Sequence, residues 1–159
     1  MKRIEGCPGS QTLSLGDNEK ESERTGVIES QLRQWPIQMH LVSPTAPYFH
    51  GADVLLVADC VAYALGGFHS EFLKGKTIGI ACPKLDAGQD IYVEKVTTMI
   101  DEAKINTLSV MIMQVPCCRG LVSVAKAALD KATRKVPVKV VVVGVRGEIL
   151  QEEWIQTNL

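Results

Sequence analysis

The sequence predicts a three-layer α/β domain built on a mostly parallel sheet of five strands. From residue 37 onward, short apolar runs rich in β-branched residues alternate with segments of helical spacing. The runs are apolar on both faces, which is typical of parallel strands that helices cover on both sides. Hydrophobic residues make up 46% of the chain, enough for one core. We therefore expect a fold of the Rossmann or flavodoxin type, with right-handed crossovers between strands.

Five segments are candidate strands. The first places Ile37, Met39 and Leu41 on one face, and the other four are continuous apolar runs. In chain order, the candidate strands are IQMHLV (37–42), VLLVA (54–58), TIGIA (77–81), LSVMIMQV (108–115) and VKVVVVGV (138–145).

Helix-compatible segments lie between these strands. In SVAKAALDKA, Val124, Ala127, Ala128 and Ala132 lie near helical spacing, which is typical of a helix with one apolar face. The expected helical segments cover residues 46–51, 61–73, 90–104 and 119–134.

The first 33 residues differ in composition from the rest of the chain. They are polar, show no sustained apolar period and include the charge-dense run DNEKESER at 17–24. We expect residues 1–33 to form a polar N-terminal arm, in which CPGS at 7–10 makes a turn beside a thiol. Residues 34–159 then form the single α/β domain.

Charge and hydropathy exclude several classes of function. The formal net charge is −1 and the sequence pI is about 6.3, so the chain lacks the basic footprint of a nucleic-acid-binding protein. No stretch approaches the roughly 18 consecutive apolar residues of a membrane-spanning helix, and the N-terminal MKRIEGCPGSQT lacks the apolar segment of a signal peptide. We expect a cytoplasmic protein that binds neither nucleic acid nor membrane.

Four of the five cysteines follow predicted strands directly. Cys60 ends VLLVADC, Cys82 ends TIGIAC, and the neighbouring Cys117 and Cys118 follow LSVMIMQVP. The carboxyl edge of a parallel sheet is where ligands bind, so these thiols can share one site if the strand order keeps their strands close. An odd number of cysteines in an intracellular chain argues against a disulfide framework, and Cys7 is the fifth. Simple core packing of the cysteines is the alternative.

Residues and helices beside the cysteines are expected to affect the thiol pKa values and the orientation of a ligand. Cys60, Cys117 and Cys118 precede predicted helices, whose positive ends are expected to lower thiol pKa values. Asp59 and Asp86 flank the site and are candidates to orient a ligand, although Asp59 is also a candidate helix N-cap.

Several segments together resemble a known family. The resemblance is to the α/β domain of anaerobe iron–sulfur proteins of the 4Fe-4S ferredoxin type, here without the ferredoxin domain and its CxxC motifs. It implies a redox or electron-transfer protein in which Cys60, Cys82, Cys117 and Cys118 ligate a 4Fe-4S cluster, with Cys7 as a further cofactor-binding residue. The segments are CPGS (7–10), SQLRQWPIQMHLV (30–42), PYFHGADVLLVADCVAYALGGFH (47–69), IACPKLD (80–86) and VPCCRGL (115–121).

Other functions are compatible with the same residues. Zinc is the alternative metal, with His69 as a weaker candidate ligand because it lies nine residues beyond Cys60. The thiols can also act directly, in disulfide or persulfide chemistry, or only pack in a non-catalytic binding subunit.

The expected partner is a ferredoxin-like or other redox protein, and a homo-oligomer is left open. The chain has no GxGxxG or GxxxxGK[ST] motif, so the fold does not imply a nucleotide.

Overall fold

The computed structural model describes residues 10–16 and 26–155. Two short strands, β1 and β2, pair with each other, and the remaining five strands form the main sheet. The expected turn at CPGS and the charged run at 17–24 lie outside the described residues, except for Ser10. The elements are β1 (Leu13–Ser14), β2 (Gln34–Trp35), β3 (Asp53–Ala58), α1 (Val61–Ala64), β4 (Thr77–Ala81), α2 (Gln89–Asp101), β5 (Thr107–Met113), α3 (Arg119–Lys131), β6 (Val138–Val143) and β7 (Ile149–Ile155).

The main sheet has the strand order β4-β3-β5-β6-β7. The pairs β3–β4, β3–β5 and β5–β6 are parallel, and β7 returns antiparallel to β6. Within this sheet the chain runs first through β3, then through β4 on one side of β3, and then through β5 on the other side, as in flavodoxin-type sheets. The predicted α/β class with a mostly parallel five-stranded sheet is confirmed.

The central strands and the long helices supply the core. Leu55, Val110, Met111 and Val138 on the strands are at most 2% exposed, and α2 and α3 bury Tyr92, Met99, Leu121 and Ala128 against each other and the sheet. These are the continuous apolar runs and the helical period that the sequence predicts, so four of the five candidate strands and both long helices are confirmed.

The strand predicted at 37–42 is wrong. Residues 39–41 form a turn instead, because the N–H groups of Leu41 and Val42 both donate to the carbonyl of Gln38, at 2.8 and 3.0 Å. Gln38 keeps only an isolated bridge to Ile80. The fifth strand is β7, whose sequence ILQEEWI is largely polar and exposed and therefore lacks the apolar signal of a strand.

A fully buried glutamine lies beside the edge of the main sheet. Gln34 is 0% exposed, whereas its neighbour Trp35 is only half-buried. The Gln34 amide donates to the carbonyl of Ile78 at 2.6 Å and accepts the Ile78 N–H at 3.0 Å. The side chain thus forms the hydrogen bonds that a further strand would offer β4.

The helix predicted at 61–73 is interrupted. The chain leaves α1 at Leu65, passes Gly66 and Gly67, and continues as a π-helical segment, Phe68–Leu73. The segment predicted at 46–51 is a single 3-10 turn, Pro47–Phe49. In the part of the chain that the structure describes, no helix combines the length and apolar character needed to cross a membrane.

Lys95 on α2 fastens the turn that replaces the first predicted strand. Its Nζ donates to the carbonyls of Met39, His40 and Val42 at 2.7, 3.1 and 2.9 Å, and burial lowers its pKa. We expect Lys95→Met to lower the free energy of unfolding by roughly 1–2 kcal/mol in a urea titration, since three carbonyls lose their donor. The exposed Lys126→Met is the control and should change it by less than about 0.5 kcal/mol. Equal effects of the two substitutions would contradict this role.

Candidate functional site

The strand order brings the cysteine-bearing strand ends together. β3 lies between β4 and β5, so the carboxyl ends that lead to Cys60, Cys82 and Cys118 are direct neighbours at one edge of the sheet. Neighbouring strands are about 4.8 Å apart. The condition on strand order under which the thiols can share a site is therefore met.

Two cysteines flank the point where the topology of the sheet reverses. After β3 the chain continues to β4 on one side and then crosses to β5 on the other, which opens a crevice between β3 and β5. Cys60 is the N-cap of α1 and Cys118 is the N-cap of α3, with nearly the same backbone angles: φ −82° and ψ −14° for Cys60, and φ −81° and ψ −16° for Cys118. Neither helix has a side-chain cap, so Asp59 does not cap α1.

The thiols at this crevice differ in exposure. Cys60 and Cys117 are exposed, whereas Cys118 is 7% exposed. Burial raises the pKa of the Cys118 thiol, as do its hydrogen bond with Cys117 and the charges of Cys117 and Cys60, while a backbone hydrogen bond from Met113 lowers it. The expectation that the helix end lowers this pKa is wrong, because desolvation outweighs the dipole at a buried thiol. The site thus pairs exposed thiols with a buried, protonated one.

Cys82 lies on a loop that Asp86 closes. The Asp86 carboxylate accepts the N–H of Cys82 at 3.0 Å, and the Asp86 N–H donates to the Cys82 carbonyl at 2.8 Å. The same carboxylate oxygen accepts the hydroxyl of the buried Tyr92 at 2.5 Å and the amide of Gln38 at 3.3 Å. Burial, with the Asp86 carboxylate as the next cause, raises the Tyr92 pKa, so the hydroxyl remains a donor. These contacts position Cys82 at the edge.

Asp59 adds a second carboxylate to this edge. Burial raises its pKa, and the charge of Asp86 raises it further. Asp59 and Asp86 are therefore close enough to interact, as their positions after neighbouring strands predict.

The loops around the thiols touch one another. A Cβ at Gly120 would lie 2.9 Å from the Cβ of Pro83, so the start of α3 contacts the loop that follows Cys82. A Cβ at Gly147 would meet the main-chain oxygen of Ala64, so the β6–β7 hairpin contacts the end of α1. The segments that follow β3, β4, β5 and β6 each expose a large apolar side chain: Tyr63 on α1, and Leu85, Val115 and Val145 on loops.

The Asp86 contacts predict a measurable stability effect. We expect Asp86→Ala to lower the free energy of unfolding by about 1–3 kcal/mol, because the buried Tyr92 hydroxyl loses its acceptor. Asp90→Ala, an exposed carboxylate in the first turn of α2, should cost less than about 1 kcal/mol. Urea titration of both variants tests this, and a larger loss for Asp90→Ala than for Asp86→Ala would refute it.

The described side chains do not form a ready metal site. Within residues 10–16 and 26–155, no group of three or more His, Cys, Asp and Glu side chains is arranged to hold a metal ion. Cys7 lies outside the described residues, and His69 accepts the N–H of Gln31 at its Nδ1, at 3.0 Å. As placed, Cys60, Cys82, Cys117 and Cys118 do not fit a 4Fe-4S cluster or a zinc ion.

Two residues of the site were not singled out from the sequence. Tyr92 lies in a helix with an apolar period, where an aromatic residue indicates core packing, and Gln38 was assigned to a strand. Their link to Asp86 spans 6 residues for Tyr92 and 48 for Gln38. The Tyr92 separation suits a loop followed by a helix turn, but no local pattern signals the Gln38 contact.

Comparison with known proteins supports the fold and leaves the chemistry open. The family model described as "Rossmann-like domain" matches residues 46–158, a range that includes Cys60, Cys82, Cys117 and Cys118. A protein of Archaeoglobus fulgidus described as "Uncharacterized protein" is 27% identical over 119 residues, which cover 75% of this chain and 83% of that protein. No solved structure matches the chain.

Proposed function

Since this chain belongs to the Rossmann-like domain family, whose ligand crevice lies at the carboxyl edge of the sheet, we propose that it is a thiol–disulfide redox protein acting through Cys60 and Cys118. The observation that carries the proposal is the pairing of an exposed and a buried thiol across the β3–β5 crevice, each at a helix N-cap. An exposed attacking thiol beside a sheltered second thiol is the arrangement that disulfide exchange requires.

The reaction proceeds in two exchanges. The Cys60 sulfur attacks one sulfur of a substrate disulfide, the substrate S–S bond breaks, and the first substrate thiolate leaves. Cys118 then loses its proton and attacks the Cys60 sulfur of the mixed disulfide, which forms the Cys60–Cys118 bond and releases the second substrate thiolate. Two electrons pass to the substrate, and a reduced redox protein or dithiol restores both thiols. Cys117 is the less suitable partner of Cys118 because a disulfide between adjacent residues is strained.

The surroundings of the thiols favour a protein as the redox partner. Four exposed apolar side chains follow four neighbouring strands at this edge: Tyr63 on α1, which is 93% exposed, and Leu85, Val115 and Val145 on loops. Four strands span about 15 Å, which a polypeptide covers more readily than a small disulfide. The proposed partner is therefore another redox protein that carries a disulfide or a dithiol, whereas a ferredoxin-like partner would suit the one-electron chemistry of the cluster-bound form. A protein whose dithiol is reduced at rest suits a reducing compartment, so the cytoplasm is the location proposed here.

A metal-bound form is the second candidate. Four cysteines on three neighbouring strand ends are the usual number of ligands for a 4Fe-4S cluster, and three or four suffice for zinc. A cluster would supply one-electron transfer at this edge. Binding it requires Cys60, Cys82, Cys117 and Cys118 to leave their described positions, which makes direct thiol chemistry the better-supported function.

One experiment separates these functions. Protein purified without oxygen is analysed for iron, zinc and acid-labile sulfide, then mixed with one equivalent of the disulfide DTNB. The thiol function predicts no stoichiometric metal, two thiolates released per DTNB, and a Cys60–Cys118 linkage in peptide mass spectrometry. Iron and sulfide that require Cys82 would establish the second candidate instead. One thiolate per DTNB, with no metal, would show that no second thiol resolves the mixed disulfide and would overturn the thiol–disulfide function.

A further inference from the structure

The two edges of the main sheet are treated differently. Along the outer edge of β4, the Gln34 amide pairs with the main chain of Ile78, and the main chain of residues 37–39 pairs with Ile80. The Ile80 N–H donates to the Ile37 carbonyl at 2.8 Å, and the Met39 N–H donates to the Ile80 carbonyl at 2.9 Å. The outward hydrogen-bonding groups of β4 at Ile78 and Ile80 are thus satisfied within the chain.

The described part of the chain provides no such cover for the opposite edge, β7. β7 ends the strand order, and none of the described residues pairs with its outer side. All its residues are exposed except Ile155, which is partly buried. In a strand paired on one side, alternate residues point their N–H and C=O groups outwards, so a strand of this length presents several unpaired groups. Such an edge is a template for pairing with another strand.

The side chains of β7 are complementary to themselves. Leu150 and Trp154 are 52% and 55% exposed and lie two residues on either side of Glu152. In an antiparallel pair, residues directly opposite each other have their side chains on the same face of the sheet. If a two-fold axis normal to the sheet relates two β7 strands, the axis must therefore lie between the two copies of one residue. An axis at Glu152 places each Leu150 directly opposite the Trp154 of the other copy. Such an aliphatic–aromatic cross-strand pair is stabilising.

The charges at this edge suit the same arrangement. Lys139 on β6 forms an ion pair with Glu152, and its Nζ lies 5.6 Å from the centre of the Trp154 ring. An axis at Glu152 would bring two carboxylates together, which is unfavourable alone. Because each copy also supplies a Lys139 beside its own Glu152, two carboxylates would meet two ammonium groups. The charges therefore balance across the axis.

From these observations we infer that the chain forms a homodimer in which two β7 strands pair antiparallel about Glu152, joining the two sheets into one of ten strands. The occupant of the edge is a second copy, because in this self-pairing each Leu150 faces a Trp154 and each Glu152 has a Lys139 beside it. The thiol crevice lies at the other end of the strand order, near β3, so the dimer leaves it accessible. The inference does not depend on the thiol chemistry.

Light scattering during size-exclusion chromatography tests the dimer with the full chain. The wild type should give twice the 17.3 kDa of one chain at micromolar concentration. Trp154→Lys should raise the apparent dissociation constant at least about 10-fold, through lost apolar contact and added charge. Leu41→Lys, at an exposed apolar residue beside the opposite edge strand β4, should leave it unchanged, and circular dichroism checks that both variants fold. A monomeric wild type, or a dimer that Trp154→Lys leaves intact, overturns the proposal.

Cross-linking tests the register independently. Residues directly opposite each other have Cβ atoms about 4.5–5.5 Å apart, so Glu152→Cys should form a disulfide across the axis. Glu153→Cys, which would face Gln151 of the other copy, should remain uncross-linked, and the wild type measures the background from the native thiols. Equal cross-linking of the two variants overturns the register about Glu152.

Discussion

Cys118→Ala is expected to abolish the second of the two thiolates that the wild type releases from one equivalent of DTNB. The first exchange, by the exposed Cys60, remains, but the mixed disulfide then has no neighbouring thiol to resolve it. The intramolecular attack by Cys118 benefits from high effective concentration, so the second release should slow by about 100-fold or more. Stopped-flow absorbance measures both phases, and mass spectrometry should find the bound thionitrobenzoate on Cys60.

Cys82→Ala is the matched control for this experiment. Cys82 lies at the same edge of the sheet but on the loop that Asp86 closes, and the proposed exchange does not use it. Its replacement should leave both release phases within about 2-fold of the wild type, because the reaction is carried by other thiols. If Cys82→Ala removes the second phase and Cys118→Ala does not, Cys118 is not the resolving thiol.

Gly147→Ala is expected to lower the free energy of unfolding by roughly 2–4 kcal/mol. Gly147 has φ +83°, a left-handed conformation that costs about 1–2 kcal/mol for a residue with a Cβ. The added methyl would also meet the main-chain oxygen of Ala64, which is backbone and cannot rotate away. The hairpin or the end of α1 must therefore move. Urea denaturation followed by circular dichroism measures the loss.

Gly75→Ala separates the two causes. Gly75 has φ +77°, nearly the same angle, but a Cβ there meets nothing within 4 Å. Its replacement should cost only the backbone term of about 1–2 kcal/mol. The excess loss in Gly147→Ala then measures the contact between the hairpin and α1. Equal losses in the two variants would show that the hairpin can move away from Ala64 without cost.

The parts of the fold that follow from local pattern were predictable from the sequence. The buried strands β3, β4, β5 and β6 are continuous apolar runs, and both long helices have an apolar face. The positions of Cys60, Cys82 and Cys118 at strand ends follow directly from those assignments. Each signal lies within one short segment, because burial on both faces of a strand leaves a mark on every residue of that strand.

Two elements gave no such local signal. The β7 strand is largely polar because it is an exposed edge, and residues 37–42 carry a strand-like alternation although they turn. Gln34 is buried because its amide meets the main chain of Ile78, 44 residues away. In each case the partner is distant in sequence, so propensity and periodicity could not detect it.

The sequence by itself determined the fold class and the delivery of thiols to one edge of the sheet. Only the tertiary structure decided that β3 lies between β4 and β5, that Cys118 is buried while Cys60 is exposed, and that described residues cover the outer edge of β4 but not that of β7. The division has a physical reason. Apolar runs and helical periods reflect the local environment of each segment, whereas strand order, thiol desolvation and edge protection depend on contacts between segments far apart in the chain.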